Sequence, residues 1–249
     1  MSRRGAGRRS VLQQRRCSVA IGDWFRKGKG KEPAGGEPTG AGRKQSHDDI
    51  IQHMAQHYGP VQELALMEIV PASGIAVNVI PARAGQNPLI LFTTGMSDRP
   101  QTVPAGQDEY RYTELFIRLP EDWPLAGDAF GKEENFWPIK WLKQIACYPH
   151  DNDTWLGGPF TIIANDEPPE RLAPNTRLSC LMLLQERGDE GTVRCRDRRA
   201  IALYSILPLY TEERDLERSK GIEALFNRLE AHRVSFVVDP KRVNAVTAG

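Results

Sequence analysis

Apolar residues recur along this chain at two periods, and the switches between them predict its elements. Ser46 has the character of a helix N-cap, with Asp48 and Asp49 in the first turn, where the helix dipole favours negative charge. Ile50, Ile51, Met54 and Tyr58 then form one apolar stripe, and Gly59-Pro60 ends the helix. Residues 61–70 and 75–80 are β-rich and flank Pro-Ala-Ser-Gly, which predicts a hairpin. Residues 89–94 read as a short apolar strand closed by Gly95. Residues 110–119 alternate: Tyr110, Tyr112, Glu114, Phe116 and Arg118 on one side, Thr113, Leu115, Ile117 and Leu119 on the other. Pro138 is tolerated only near a helix beginning, so a helix starts at Trp-Pro, carries Trp141, Leu142, Ile145 and Ala146 on one face, and stops at Pro149. Residues 160–164, 177–184 and 200–207 read as further strands, and 234–238 as a closing one. Ile222, Leu225, Phe226 and Leu229 keep the i, i+3, i+4, i+7 spacing of an amphipathic helix. Strands dominate, with helices at the start, middle and end. That order predicts an α+β fold: a mixed or largely antiparallel sheet covered by helices on one face.

Charge divides the chain in two. Residues 1–45 hold 12 Lys and Arg against 3 Asp and Glu, whereas the remainder holds 21 against 29, which sets a tail of +9 on a body of −8. The tail has few large apolar groups to offset chain entropy, so 1–45 is expected to be disordered and 46–249 to be the folded domain. A mitochondrial transit peptide would need an amphipathic helix that the tail lacks. Weak attraction to anionic lipid or nucleic acid is a second role for it. A third reading comes from the change of character at Ala20-Ile21-Gly22-Asp23-Trp24-Phe25: translation starting near Val19 would leave residues 1–18 a misplaced start. The acidic body argues against nucleic-acid binding through the folded part, because neutralising phosphates needs clustered cations. At 40% hydrophobic the chain can build a core, yet no apolar run reaches the roughly 18–20 residues of a membrane span. Cys17, Cys147, Cys180 and Cys195 make no CxxC pair and suit a reducing compartment, so a cytoplasmic protein is expected.

Chemistry is scarce. There is no GxGxxG, Walker loop or HExxH, and Ser97 in Thr-Thr-Gly-Met-Ser-Asp lacks the flanking glycines of a nucleophile elbow. That segment reads as a turn on Gly95 with Asp98 and Arg99 at its tip. His53 and His57 have metal-ligand spacing, with Asp49 on the same stripe, but they also suit a solvated polar edge near a helix C-terminus. Cys147 and His150 could form a thiol–imidazole pair, although Tyr148-Pro149 separates them and Cys147 continues a packed face. Asp151-Asn152-Asp153 is followed by Trp155 and Leu156 where a calcium loop needs a ligand and a glycine, so a helix-ending Asx turn fits better. Residues 212–218 read as an exposed helix start with internal ion pairing. No catalytic residue, metal site or cofactor is assigned. The aromatic corner formed by Trp137, Trp141, Tyr148 and Trp155 remains; Tyr148 and Trp155 flank the polar turn and are the best candidates for exposed anchors.

Five segments, LFTTGMSD (91–98), YTELFIRLPEDWP (112–124), FWPIKWLKQIACY (136–148), DTWLGG (153–158) and LYSILPLYTEE (203–213), occur in the order found in the suppressor of fused family, which this chain resembles over roughly residues 61–238. The resemblance implies the fold of that family's N-terminal lobe and a protein-binding role without catalysis. Animal members hold transcription factors in a cleft between two lobes, and nothing here resembles the second lobe. Of the animal gripping residues, the tyrosine falls on Tyr148 and the aspartate on Pro159, so that ionic contact is missing and the animal partner does not carry over. Bacterial stand-alone members are thought to be immunity proteins, which implies a toxin as partner.

The leading expectation is therefore a non-enzymatic, cytoplasmic domain that binds another protein, a basic toxin being the specific case, through Tyr148, Asp151, Asp153, Trp155, Asp98 and Arg99. The alternatives are a hydrolase or metalloenzyme using His53/His57 or Cys147/His150, and a module whose basic tail tethers it to membrane or nucleic acid.

Overall fold

The computed structural model describes residues 18–20, 40–62 and 74–248, with side chains from Gln45 onward. Most of the expected tail, the proposed start region after Ala20, and most of the first strand and the turn of the hairpin expected over 61–80 lie outside these residues. Two parts of that tail nonetheless take regular structure. Strand β1 (Ser18–Ala20) runs parallel to β5 (Phe160–Ala164), and helix α1 (Gly40–Tyr58) starts ahead of Ser46, which is therefore an interior helical residue and not its N-cap.

The remaining strands are β2 (Ala76–Ile80), β3 (Leu89–Thr94), β4 (Thr113–Leu119), β6 (Cys180–Gln185), β7 (Thr192–Arg194) and β8 (Ala200–Leu209). Together they form one 8-stranded sheet in the order β1-β5-β6-β8-β4-β3-β2, with β7 pairing the start of β8. Pairings are antiparallel except β1 with β5 and β4 with β8, so the mixed, largely antiparallel sheet expected from the sequence is present. At the β2 edge, Gln62 bridges Val79 in antiparallel sense. The expected strand at 234–238 is absent. Only a parallel bridge from Val237 to Arg118 forms, because Asp239-Pro240 turns the chain away.

Helices cover both faces of the sheet, not one. On the first face lies α3 (Glu133–Asp151), preceded by the short α2 (Gly127–Phe130); Trp137, Ile139, Trp141, Leu142 and Ile145 pack on Val77, Leu91, Leu115, Ile117 and Tyr204. On the second face α1 lays Ile50 and Met54 on Ile90, Phe92, Phe116 and Leu203. Further along it, α5 (Ile222–Ala231) buries Leu225 and Leu229 against Met182 and Leu207. Each large side chain so buried contributes about 2–3 kcal/mol. Double coverage explains why β3 is buried at every position, where a one-sided sheet would show alternation.

α3 also overruns both prolines expected to bound it. Pro138 lies in its second turn, and the Glu134 carbonyl that its missing N–H would have served accepts from Asn175 Nδ2 at 3.0 Å. The acidic run in α4 (Thr211–Lys220) is not an exposed helix start either: Glu213, Arg214 and Glu217 are buried. The expected internal pairing is present between Arg214 and Asp215, 2.9 Å apart, but Glu213 and Arg214 also take partners from elsewhere in the chain. Arg242 Nη1 donates to Glu213 Oε1 at 2.7 Å, and Arg214 Nη1 to Glu167 Oε2 at 2.9 Å. Charges buried at this depth persist only when paired and hydrogen-bonded. Glu213 meets that condition by also accepting the backbone N–H groups of Tyr210 and Ala245.

Candidate functional site

The C-terminal end of α3 meets the β3–β4 loop, and the contact is cross-tied. His150 Nε2 lies 2.9 Å from the Met96 carbonyl, Thr154 N donates to Pro149 O at 3.0 Å, and Thr102 N donates to Thr154 O at 3.2 Å. Gln101 is the clasp. Its Nε2 donates to Thr113 Oγ1 at 2.7 Å and to the carbonyls of Tyr110 and Leu156, while its Oε1 accepts from Leu156 N at 2.7 Å. One buried amide thus ties the segment entering β4 to the loop that follows α3, which removes the freedom a surface loop ordinarily keeps.

A buried carboxylate holds the turn on the other side. Glu114, in β4, is 1% exposed and accepts from Thr93 Oγ1 (2.6 Å), Gly95 N (3.0 Å), Ser97 N (2.9 Å) and Ser97 Oγ (2.6 Å). Burial pushes its pKa up, against the opposing pull of the Ser97 and Thr93 hydrogen bonds. The turn itself needs Gly95, whose φ is 104° and whose added Cβ would lie 2.4 Å from the Gly74 carbonyl oxygen.

On this frame the expected recognition residues fall into two groups. Asp151 and Asp153 are exposed at the corner, with Asp153 in the left-handed region at φ 49°. Asn152 closes the helix by donating from Nδ2 to Tyr148 O at 2.9 Å, the local Asx bonding expected of this turn. Arg99 interacts with Asp151, whose carboxyl is pushed up by burial and pulled back by that charge. Tyr148 is half-buried against the core. Trp155 is also half-buried, with its ring centroid 6.1 Å from that of Tyr110 and its edge against Gly157. Asp98 differs from expectation: it is not at an exposed tip but 7% exposed, 3.2 Å from His47 Nε2 and 3.4 Å from Ser46 Oγ on α1. Sequence reading missed Gln101 altogether and saw Glu114 only as a strand position. A lone carboxylate inside Thr-Glu-Leu-Phe-Ile was the one available signal that buried donors must surround it.

The residues of the enzymatic alternative are engaged otherwise. His53 Nε2 is 3.1 Å from the Glu190 carbonyl, and burial lowers the pKa of its ring. The His57 ring packs against it, tilted by 45° with centroids 4.5 Å apart. Asp49 turns away from both to Arg196, whose Nε donates at 2.6 Å. Among the described residues no three His, Cys, Asp or Glu side chains come together as a metal set. α3 continues through Pro149, so Cys147 and His150 share one helix. Cys147 packs on the core, and the His150 ring, its pKa lowered by burial, faces a carbonyl.

A family model for the suppressor of fused protein (SUFU) matches residues 71–243. This chain belongs to the suppressor of fused family. Its fold is similar to that of a suppressor of fused homolog from Neisseria gonorrhoeae, with a TM-score of 0.53 at 15% identity over 81% of this chain and 97% of that one. A chain of the Sufu–Fu complex is similar to the same degree: TM-score 0.53, 14% identity, 80% of this chain and 91% of that one. An uncharacterised protein of Ureaplasma parvum serovar 3 is 29% identical over 114 residues, which are 45% of this chain and 52% of that protein. This chain therefore spans about half the length of that relative. At such identities the structural likenesses establish the shared fold, and the family match agrees with them. No helix among the described residues is long and apolar enough to cross a membrane.

Proposed function

We propose that this domain binds another protein and performs no chemistry, gripping its partner at the corner where α3 ends. The partner is a basic protein, a toxin held inactive being the specific case, and the setting is the cytoplasm. The observation that carries this reading is the corner's construction: a backbone cross-tied by Gln101 and His150 that leaves two carboxylates exposed and two aromatic rings half-exposed. Pre-organised aromatic anchors beside exposed charge are what recognition surfaces use, since little ordering entropy is lost on binding. Tyr148, Asp151, Asp153, Trp155 and Arg99 make the contact, and Asp98 positions the turn from beneath. The acidic body would steer a basic partner inward. Family membership supports the class of function, and the Sufu–Fu complex is one case in which a chain of this fold is found with a protein partner. Buried Cys180 and Cys195, neither in a disulfide, suit a reducing compartment.

The test is site-specific photo-crosslinking in the source cell. A benzoylphenylalanine replacing Asn152 should trap one basic protein, while the same group replacing Glu223 on α5 should not. With that partner purified, Trp155→Ala should weaken binding by about 2 kcal/mol, roughly thirtyfold, in calorimetry. Equal crosslinking from both positions, or unchanged affinity, would remove the corner from the interface.

A further inference from the structure

Beside the start of α3, where Asn175 bonds the Glu134 carbonyl, the structure holds a cavity of about 620 Å³. One wall is the 171–177 segment that leads into β6, and the other is the C-terminal strap of residues 240–248; Tyr210 lies between them. Its walls are fastened. Thr176 Oγ1 donates to Pro240 O at 2.7 Å, Tyr210 OH donates to Arg242 O, and Asn244 Nδ2 donates to Glu212 Oε2 at 2.8 Å. Beneath the strap, Arg242 is tied to buried Glu213 and to the Pro208 carbonyl.

The chemistry of the lining is one-sided. Arg171, Arg177 and Lys241 are exposed at the cavity, and no carboxylate side chain lines it. Among the described residues none of these three side chains makes an ion pair or hydrogen bond. Arg242, the fourth cation, is already neutralised by Glu213. The nearby Asp239 carboxylate accepts the Lys241 backbone N–H at 2.8 Å. Three exposed cations gathered at one cavity, with Asp239 and Glu212 at its edge, are a local concentration of positive charge on a body of net −8. Beside them Val243, at 58%, is the exposed large hydrophobic side chain among the described residues.

We propose that this cavity binds a small organic phosphate, its phosphate held by Arg171, Arg177 and Lys241 and its apolar portion laid against Val243 and Pro240. The volume is that of a small-molecule site. Paired guanidinium groups match phosphate oxygens in geometry as well as charge. Fastened walls mean that little order has to be gained on binding. The acidic body repels a nucleic-acid chain, whereas a compact phosphate sees only the local cations.

Calorimetry on the full chain tests this, with pyrophosphate, adenosine monophosphate and glucose 6-phosphate as probes. One equivalent of an organic phosphate should bind saturably and more weakly as salt rises. Arg171→Gln with Arg177→Gln should reduce affinity at least tenfold while leaving the thermal midpoint unchanged, because both side chains are exposed. Adenosine monophosphate binding above glucose 6-phosphate would assign the apolar wall to a base, and the reverse order would assign the site to a sugar phosphate. Binding of pyrophosphate alone would leave an anion hole and overturn the organic ligand. Absence of saturable binding by all three, or binding indifferent to the double substitution, would overturn the site. The same double variant should keep its crosslink from position 152, so failure here is separable from failure of the protein-binding reading.

Discussion

Glu114 offers the sharpest test of how the corner is held. Its two oxygens receive four donors, two of them backbone N–H groups, in a setting closed to water. In Glu114→Ala all four donors lose their acceptor. Each stranded donor costs about 1–3 kcal/mol, and partial entry of water reduces the sum, so a loss of about 3–5 kcal/mol is expected. Glu114→Gln should behave differently. The amide oxygen can take the place of Oε1 and keep Gly95 N, Ser97 N and Ser97 Oγ. At the other position the amide nitrogen can donate to Thr93 Oγ1, whose own proton has the Leu115 carbonyl within 3.3 Å. Because burial outweighs the hydrogen bonds and raises the carboxyl pKa, the ionised form opposes folding near neutral pH, and removing the charge offsets the weaker bonds. Glu114→Gln should therefore lie within about 1 kcal/mol of the parent at pH 7. The pH dependence follows in sign. A pKa raised in the folded state contributes stability that is complete below the unfolded carboxylate value of about 4.3 and is lost as pH rises through the folded value. The parent should thus gain on Glu114→Gln as pH falls from 7 towards that value. Urea unfolding followed by tryptophan fluorescence at several pH values measures all three proteins. Glu114→Ala within 1 kcal/mol of the parent, or a parent that loses ground to the Gln variant on acidification, would refute the account.

Two further outcomes are expected. Gly95→Ala combines a positive φ with a Cβ 2.4 Å from a backbone oxygen that cannot yield cheaply, so it should cost about 3 kcal/mol or more in the same unfolding assay; a loss under 1 kcal/mol would mean that the turn relaxes freely. The Cys180 and Cys195 thiols are each pushed up by burial to about 11, which leaves roughly 0.1% thiolate at pH 8, so iodoacetamide should modify neither in the folded protein and both in guanidinium, as read by mass spectrometry.

Several elements were legible in the residues alone because their signals are local. The 3.6-residue spacing from Ile222 to Leu229 and the apolar run from Leu89 to Thr94 each depend on neighbours within one element, and both stand where periodicity put them. Five short segments in order were enough to point to the family. The aromatic and acidic corner could be named from Tyr148 to Trp155 because its residues are consecutive. What the sequence could not show is what crosses between elements. Two-sided coverage of the sheet depends on where α1 and α5 dock, and strand periodicity does not carry that. α3 runs past Pro138 because Asn175, 41 positions away in sequence, serves the carbonyl left over. Asp98 looked like a loop tip and is buried because α1, 51 and 52 positions earlier, supplies His47 and Ser46. Glu213 looked like a surface charge until Arg242 closed on it across 29 positions. Local periodicity is written by the backbone's own geometry, whereas a buried polar group is tolerable only when distant donors arrive, and their arrival is decided by the tertiary fold.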